Sequence, residues 1–339
     1  MGIILPMRSS EAAVNSYRAA FESALIVRHA APAVLALRGA DCLDLLNRMS
    51  TADLAELPSG RTRMTVFTDP LGRTIDVVQV IAREQDLLLL TTGGREAVLR
   101  SWLQKHIFFQ DDVTVSEPQP NWARWGAYGP SASEALEPLP APLPHQDRVV
   151  SFAGGVTWSV VSPKPGFRVL FEPGADLAAW EKLGGEPSDS LAYEVLRVEA
   201  GLPEMGREVK ADSIPLEVGL EQAVSFSKGC YVGQEIIARM ESRGKLAKRL
   251  AGLSLRGAAE PGTPLEQDGR SVGTLTSVAE SPRFGWIGLA VVKPKAFSFP
   301  EGQVWLRGDA EPARLVELPF ESSSQARVTP PLAEPFGQS

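Results

Sequence analysis

The pattern of the chain changes near residue 248, and this change constrains the fold more than any other feature. Before it, helical and strand patterns interleave irregularly, and hairpins outnumber segments that could cross between parallel strands. Such a sequence is typical of an α+β fold and not of a doubly wound parallel sheet. After it come short strand patterns separated by Gly and Pro, at 248–255, 271–278, 285–292, 303–307 and 313–318. This spacing indicates a compact β-barrel or sandwich.

We therefore predict an α+β module over residues 1–240 and a β-rich domain over residues 246–320. The last stretch, 321–339, is rich in Ser, Pro and Gln, which predicts a disordered tail. Within the module the turn at 68–72 predicts a hairpin. Helices are predicted at 11–28, 94–107, 175–183 and 190–200, and strands at 34–37, 61–67, 74–82, 86–91, 113–116, 122–128 and within 148–171.

Composition excludes several classes of protein. The net charge of −7 argues against general nucleic-acid binding, and no apolar run is long enough to cross a bilayer. The N-terminus has no signal-peptide pattern, and the two cysteines are far apart, so we expect a cytoplasmic protein without disulfides. Phosphate-binding glycine motifs are absent and the three histidines occur singly, so we expect neither a nucleotide site nor a metal site.

Residues 228–235, Lys-Gly-Cys-Tyr-Val-Gly-Gln-Glu, form the most informative motif, which we call the octapeptide. Glycine on both sides of Cys230 frees the backbone to present the thiol at the mouth of a cleft. Lys228 and the helical pattern that begins at Gln234 would both favour a thiolate. The alternative is a small buried cysteine in a tight turn. We interpret Cys230 as the functional thiol and Cys42, beside an apolar run, as a core residue.

A second candidate is Glu199, in the last turn of a helical pattern that ends at Gly201. The helix dipole disfavours a carboxylate there, and a residue placed against its local preference is a candidate for function. The alternative is a surface glutamate paired with Arg197 or Lys210.

Positive charge is concentrated just after the octapeptide, at Arg239, Arg243, Lys245, Lys248 and Arg249. A solvated helix end would explain this cluster without any function. The functional alternative is an anion site.

These motifs resemble a known family. Residues 226–235 look like the signature of the folate-binding YgfZ family, whose members are relatives of the glycine-cleavage T-protein, an aminomethyltransferase, and are implicated in iron–sulfur cluster maturation. Residues 197–203 and 215–220 match landmarks of T-protein and YgfZ in order, as do 39–41 and 45–53 nearer the start. The resemblance spans about residues 11–320, and the octapeptide is its most specific part.

The resemblance implies a GcvT-like folate-binding module with a C-terminal β-barrel domain, and tetrahydrofolate or a derivative as the cofactor. It also implies that Glu199 grips the pterin, because one carboxylate can accept both adjacent N–H donors of that ring. The basic cluster would then hold the glutamate tail. The expected cofactor-binding residues are Glu199, Arg197, Tyr231, Gln234, Lys245 and Arg249, and the expected reactive residues are Cys230, Lys228 and Asp76.

The sequence also departs from the family. T-proteins carry two successive aspartates after the hairpin, and an aspartate there assists methylene transfer, whereas this chain has Asp76 followed by Val77. From periodicity alone, Asp76 is either a solvent-facing residue or an acid in a cleft.

Three functions are therefore open. The first is a tetrahydrofolate-binding protein that supports iron–sulfur cluster assembly, with the assembly machinery or recipient proteins as partners. The second is a folate-dependent aminomethyltransferase, and the third is a scaffold that has lost ligand chemistry. The octapeptide favours the first, the missing aspartate weakens the second, and Glu199 weakens the third.

Overall fold

The computed structural model describes residues 10–139, 142–145, 148–298 and 302–320. The predicted tail at 321–339 lies outside them. The described chain forms two five-stranded sheets and a closed six-stranded barrel, so the predicted fold class is confirmed: a GcvT-like α+β module followed by a C-terminal β-barrel.

The sheet that we call sheet I has the strand order β3-β4-β5-β2-β6. Two helices, α2 and α3, pack on one face of it, where Leu45, Leu46, Phe67 and Leu99 are fully buried. The predicted hairpin is confirmed, since β3 and β4 pair antiparallel across the turn at 68–72. The bounds are β2 Ala33–Arg38, α2 Cys42–Met49, β3 Arg61–Thr68, β4 Thr74–Ala82, β5 Leu87–Thr91, α3 Glu96–Lys105 and β6 Thr114–Val115.

The other sheet, sheet II, has the order β1-β7-β10-β9-β8. Its strands are β1 Leu25–His29, β7 Ala123–Tyr128, β8 Val149–Phe152, β9 Gly155–Val160 and β10 Gly166–Phe171. Three helices accompany it: α1 Glu11–Glu22, the short α4 Ala178–Glu181 and α5 Pro187–Glu199. The two sheets share a core, in which Leu88 and Leu90 of sheet I pack with Trp158 and Leu170 of sheet II.

The barrel follows helix α6, Gln234–Arg243, and closes in the order β11-β14-β13-β12-β15-β16. Five of its strands correspond to predicted ones, whereas β12 is only four residues long and begins at a proline, which hid it in the sequence. The barrel packs on the module, since Ala279, Ile287 and Leu289 share a buried cluster with α1 and α5. The strands are β11 Arg249–Ser254, β12 Pro264–Gln267, β13 Arg270–Ser281, β14 Gly285–Val292, β15 Gln303–Leu306 and β16 Ala313–Val316.

One predicted helix is wrong in its second half. The segment 11–28 begins as α1, but that helix ends at Glu22, and residues 25–29 form β1. The residues Leu25, Ile26 and Val27 are all buried, and β1 pairs antiparallel with β7. Sheet pairing therefore overrides the helical spacing of the apolar residues. In the described part of the chain, no helix is long and apolar enough to cross a membrane.

Candidate functional site

The octapeptide is docked on sheet I and α2 through Lys228. The ammonium group of Lys228 donates to the backbone carbonyls of Asn47, Ser50 and Ala52, the latter two at 2.8 and 2.7 Å, and to the side-chain oxygen of Asn47 at 3.1 Å. Burial lowers the pKa of Lys228 to about 8. A lysine has three donors, so these contacts use all of them. Lys228 therefore fixes the segment to the end of α2, and its predicted role beside the thiol stays a prediction.

The far end of the octapeptide is held by a close backbone contact with the β3–β4 turn. The Thr68 hydroxyl donates to the Val232 carbonyl at 2.6 Å. Gly233 has φ +87°, and a Cβ there would lie 2.7 Å from both the Asp69 carbonyl oxygen and Thr68 Oγ1. Glycine is thus required at 233 both by its conformation and by the space available.

Between these two anchors, Cys230 is exposed and is not in a disulfide. It lies three residues before Gly233, the N-cap of α6, and the influence of a helix dipole is confined to the first turn. Accessibility is what distinguishes this thiol from the other cysteine. The second cysteine, Cys42, is buried in the core as predicted, and burial raises its pKa to about 11.

Two other residues of the octapeptide were predicted to bind the cofactor, and they differ in burial. The Tyr231 ring is buried against Leu216 and Ile237, and burial raises its pKa to about 12. Tyr231 therefore packs in the interior, and the prediction that it binds the cofactor stays a prediction. Gln234 is the first residue of α6 and is partly exposed, so its predicted role stays a prediction.

Asp76 is neither solvent-facing nor in a cleft, since its residue exposure is 0%. One carboxylate oxygen accepts from the Val77 amide at 2.9 Å and the other from the Thr92 amide at 3.2 Å. Burial raises the pKa of Asp76 to about 6, against the effect of these hydrogen bonds and of Arg95. Asp76 therefore ties β4 to the residue that follows β5, and its role as a reactive residue stays a prediction.

The two faces of β4 show which of the two aspartates of a T-protein this chain retains. Asp76 is paired with Phe67, which lies in the core under α2 and α3, whereas Val77 is paired with Val66. Val66 and Val77 pack with Val209 in the cluster formed by the segment after α5. Successive residues of a strand point to opposite faces, so the two aspartates of a T-protein would do so as well. The acid that this chain retains is the one on the helix-covered face.

Glu199 lies at the junction of the module and the barrel. Its Oε1 accepts from the hydroxyls of Tyr17 at 2.8 Å and Ser281 at 2.6 Å, and its Oε2 accepts from Tyr17 at 3.1 Å. Burial raises the pKa of Glu199, while these hydroxyls and the nearby Arg283 and Lys164 oppose the shift. A carboxylate offers about four acceptor sites, so Oε2 keeps capacity for a ligand N–H.

Arg197 was also predicted to bind the cofactor, and its guanidinium contacts several groups of the protein. Its guanidinium donates to both carboxylate oxygens of Glu194, to Glu208, to the Leu202 carbonyl and to the Ser277 hydroxyl. All five donors of the guanidinium are thereby used. Arg197 thus joins α5 to strand β13 of the barrel, and its role in cofactor binding stays a prediction.

Two residues of the predicted basic cluster line a groove. Lys245 and Arg249 border a cavity of about 730 Å³ between the end of α6 and the barrel, together with Lys293 and Lys295. Arg249 also pairs with Glu317 and lies 4.3 Å from the centroid of the Phe297 ring. We call this the basic groove. Glu199 is not among its lining residues.

One polar cluster was missed by the sequence analysis. Arg124 of β7 and Arg168 of β10 lie on the same face of sheet II as His29 and Tyr128, and Tyr193 of α5 covers them. The Nε atoms of both arginines are covered and have no hydrogen-bond partner. The sequence shows an arginine at an inward position in each of two separate strand patterns. Without the strand register, nothing in the sequence indicates that the two arginines are neighbours.

The sequence predicted a reduced folate as the cofactor, and several groups of the chain have the chemistry that its atoms would need. Such a ligand carries N–H donors on its pterin and carboxylates on its glutamate tail. The chain offers an acceptor at Glu199, orphaned guanidinium donors at Arg124 and Arg168, and an open basic groove. Carboxylate and guanidinium groups are the partners that these ligand atoms require.

Comparison with known proteins matches both the module and the barrel. The GCVT N-terminal domain model matches residues 8–157, and the model of the glycine cleavage T-protein C-terminal barrel domain matches residues 248–321. The crystal structure of the glycine cleavage system aminomethyltransferase T from Bartonella henselae superposes with a TM-score of 0.77 at 21% identity, covering 94% of this chain and 91% of that one.

Several relatives have a higher sequence identity to this chain than that crystal structure has. A chloroplastic protein of Arabidopsis thaliana, named only provisionally as a transferase, is 32% identical over 309 residues, covering 87% of this chain and 70% of the relative. An aminomethyltransferase of Rubrobacter xylanophilus is 31% identical over 303 residues, covering 84% and 80%. An aminomethyltransferase of Geobacillus kaustophilus is 30% identical, covering 84% of each. The chain belongs to the glycine cleavage T-protein family.

Proposed function

We propose that this protein binds tetrahydrofolate or a derivative and supports iron–sulfur cluster assembly or repair through the thiol of Cys230. One observation carries the proposal: an exposed thiol stands on a segment that is anchored on both sides, by Lys228 and by Gly233. The resemblance of the octapeptide to the YgfZ signature supports the same assignment within the shown family.

The position of Cys230 suits an encounter with another protein. A Cβ built on Gly229 meets nothing within 4 Å, so the space beside the thiol is open. Thiolates bind iron and exchange with other thiols, and both reactions require access. We propose the iron–sulfur assembly machinery or recipient iron–sulfur proteins as partners. We also place the protein in a reducing compartment such as the cytoplasm, where Cys42 and Cys230 would stay free.

Aminomethyl transfer is the second candidate, and two observations favour it. Several relatives are named aminomethyltransferases, and the raised pKa of Asp76, about 6, would suit proton transfer near neutral pH. The full burial of Asp76 and the valine at 77 weigh against it. A scaffold without a ligand is the third candidate, and the unpaired donors of Arg124 and Arg168 weigh against that.

Genetic rescue tests the proposal. In a strain that lacks this protein, the Cys230→Ala chain at equal protein level should fail to restore the activity of iron–sulfur enzymes. Because Cys230 is exposed, the substitution should barely change the melting temperature. The matched control is Cys42→Ala, which removes a buried thiol and should still rescue. If Cys230→Ala rescues as well as the unaltered chain, the thiol is dispensable and the proposal fails.

A further inference from the structure

Arg124 and Arg168 are brought together by the register of sheet II. In that register Arg124 is opposite Leu170 and Arg168 is opposite Gly126. The two arginines are thus diagonal neighbours on one face, with their backbones about 7–8 Å apart. Two guanidinium groups therefore share a small region of the interior.

In the described part of the chain, neither guanidinium lies within ion-pairing distance of a carboxylate. Arg168 donates to the Tyr193 hydroxyl at 3.1 Å. The carboxylate that influences Arg124 is that of Glu204, which is itself 3.1 Å from the Nε of Arg207. Burial and the neighbouring Arg168 lower the pKa of Arg124. Buried charges are normally paired, so this like-charged pair requires an explanation.

Two other covered arginines show the normal arrangement. Arg83 pairs with Asp86 and Glu172, each at 2.7 Å, and Arg197 pairs with Glu194 and Glu208. The fold is thus able to supply carboxylates to arginines whose role is structural. It supplies none at the Arg124–Arg168 pair.

Aromatic groups wall the pair. The Tyr128 ring lies over Gly126, where an added Cβ would be 2.4 Å from the tyrosine oxygen. That oxygen is 2.7 Å from His29 Nε2, and the Tyr193 ring is 4.6 Å from the His29 ring. Burial, with repulsion from both arginines, holds the pKa of His29 well below its ordinary value. His29 is therefore neutral near pH 7, and the arginines carry the positive charge of the cluster.

The cluster is accessible. Arg124, Arg168, His29 and Tyr193 each keep part of their surface open to solvent, although the Nε atoms of the arginines are covered. A small ligand can therefore reach these groups from outside.

We propose that Arg124 and Arg168 form a binding site for a carboxylate, walled by Tyr128, Tyr193 and His29. Planar guanidinium forks match carboxylate oxygens, and a site with two positive charges and no internal counterion favours an anion. Phosphate shares this chemistry. We assign carboxylate because the ligand of the proposed function, a reduced folate, carries carboxylates and no phosphate. The occupant is either the glutamyl carboxylate of that folate or a separate small carboxylate.

A test without folate examines the site itself. Malonate, at an ionic strength held constant with sodium chloride, should raise the melting temperature of the unaltered protein saturably. Arg124→Gln and Arg168→Gln should lose this rise, and Arg124→Lys, which keeps the charge but not the fork, should show a smaller rise. Arg83→Gln is the matched control, since it should melt lower but keep the malonate response. A response no greater than that to chloride, or one that both glutamine variants retain, overturns the site. A larger response to phosphate than to malonate overturns the assignment to carboxylate.

Folate analogues then identify the occupant. If the glutamyl carboxylate occupies the site, Arg124→Gln should weaken tetrahydrofolate about tenfold or more and leave tetrahydropteroate, which lacks the glutamate, unchanged. If both ligands bind the variant as they bind the unaltered protein, while malonate still stabilises only the latter, the occupant is a separate carboxylate. If neither folate binds at all, the proposed function fails, and the malonate response still decides the arginine site.

Discussion

Replacement of Asp76 by asparagine should remove a pH-dependent loss of stability. Burial raises the pKa of this carboxyl from 3.8 to about 6 in the folded protein. The folded state then holds a proton over a range in which the unfolded chain has released it. The stability that this proton contributes is fully present below pH 3.8 and is lost as the pH rises through 6. Each pH unit within that range is worth about 1.4 kcal/mol, so the loss between pH 4.5 and 7.5 should be about 2 kcal/mol.

Urea unfolding at several pH values measures this effect. The free energy of unfolding of the unaltered protein should fall by about 2 kcal/mol relative to Asp76→Asn between pH 4.5 and 7.5, with equal m-values. Asp212→Asn, at an exposed position, should run parallel to the unaltered protein. If the Asp76→Asn curve is also parallel, the carboxyl ionises as it would in water. Aminomethyl transfer would then lose the raised pKa that favours it.

Two further predictions concern the anchors and the basic groove. Lys228→Met should lower the free energy of unfolding by about 2–4 kcal/mol, because buried carbonyls at the end of α2 lose their donor, while the alkylation rate of folded Cys230 stays unchanged. The exposed Lys182→Met is its control, and a slower alkylation at unchanged stability would instead restore Lys228 as the partner of the thiol. Joint replacement of Lys245 and Arg249 by alanine should weaken binding of polyglutamylated folate more than that of the monoglutamate, measured by calorimetry. Equal losses for both ligands would leave the basic groove without this role.

The parts of the fold that depend on local signals could be predicted from the sequence. The β3–β4 hairpin follows from its turn residues, and the barrel follows from short strands between Gly and Pro. The end of α1 could not be predicted, because Leu25 and its neighbours fit a helix face as well as a buried strand. Only pairing with β7 decides between them.

The site shows the same division. The exposure of Cys230 and the burial of Cys42 were predicted correctly from their surroundings in sequence. The contacts of Lys228 and Arg197 could not be predicted, because their partners are distant in sequence: Lys228 reaches Asn47, and Arg197 reaches Ser277. A charged residue near a motif in sequence does not reveal its contacts when its side chain reaches another part of the fold.

The arginine pair was invisible for a similar reason. Arg124 and Arg168 stand in different strands, and only the register of β7 with β10 makes them neighbours. Periodicity places each of them on one face of its own strand, but it does not reveal which other strand lies beside it.

Titration of the purified protein with tetrahydrofolate, followed by calorimetry, tests the central claim most directly. We expect saturable binding that weakens about tenfold or more in Glu199→Gln, because one charge-assisted acceptor is lost. Tyr17→Phe is the matched control: it removes a hydroxyl that competes for the same carboxylate and should leave binding intact or tighter. Absence of any binding would contradict the assignment of this chain as a folate-binding protein, and equal binding by Glu199→Gln would remove Glu199 from the site.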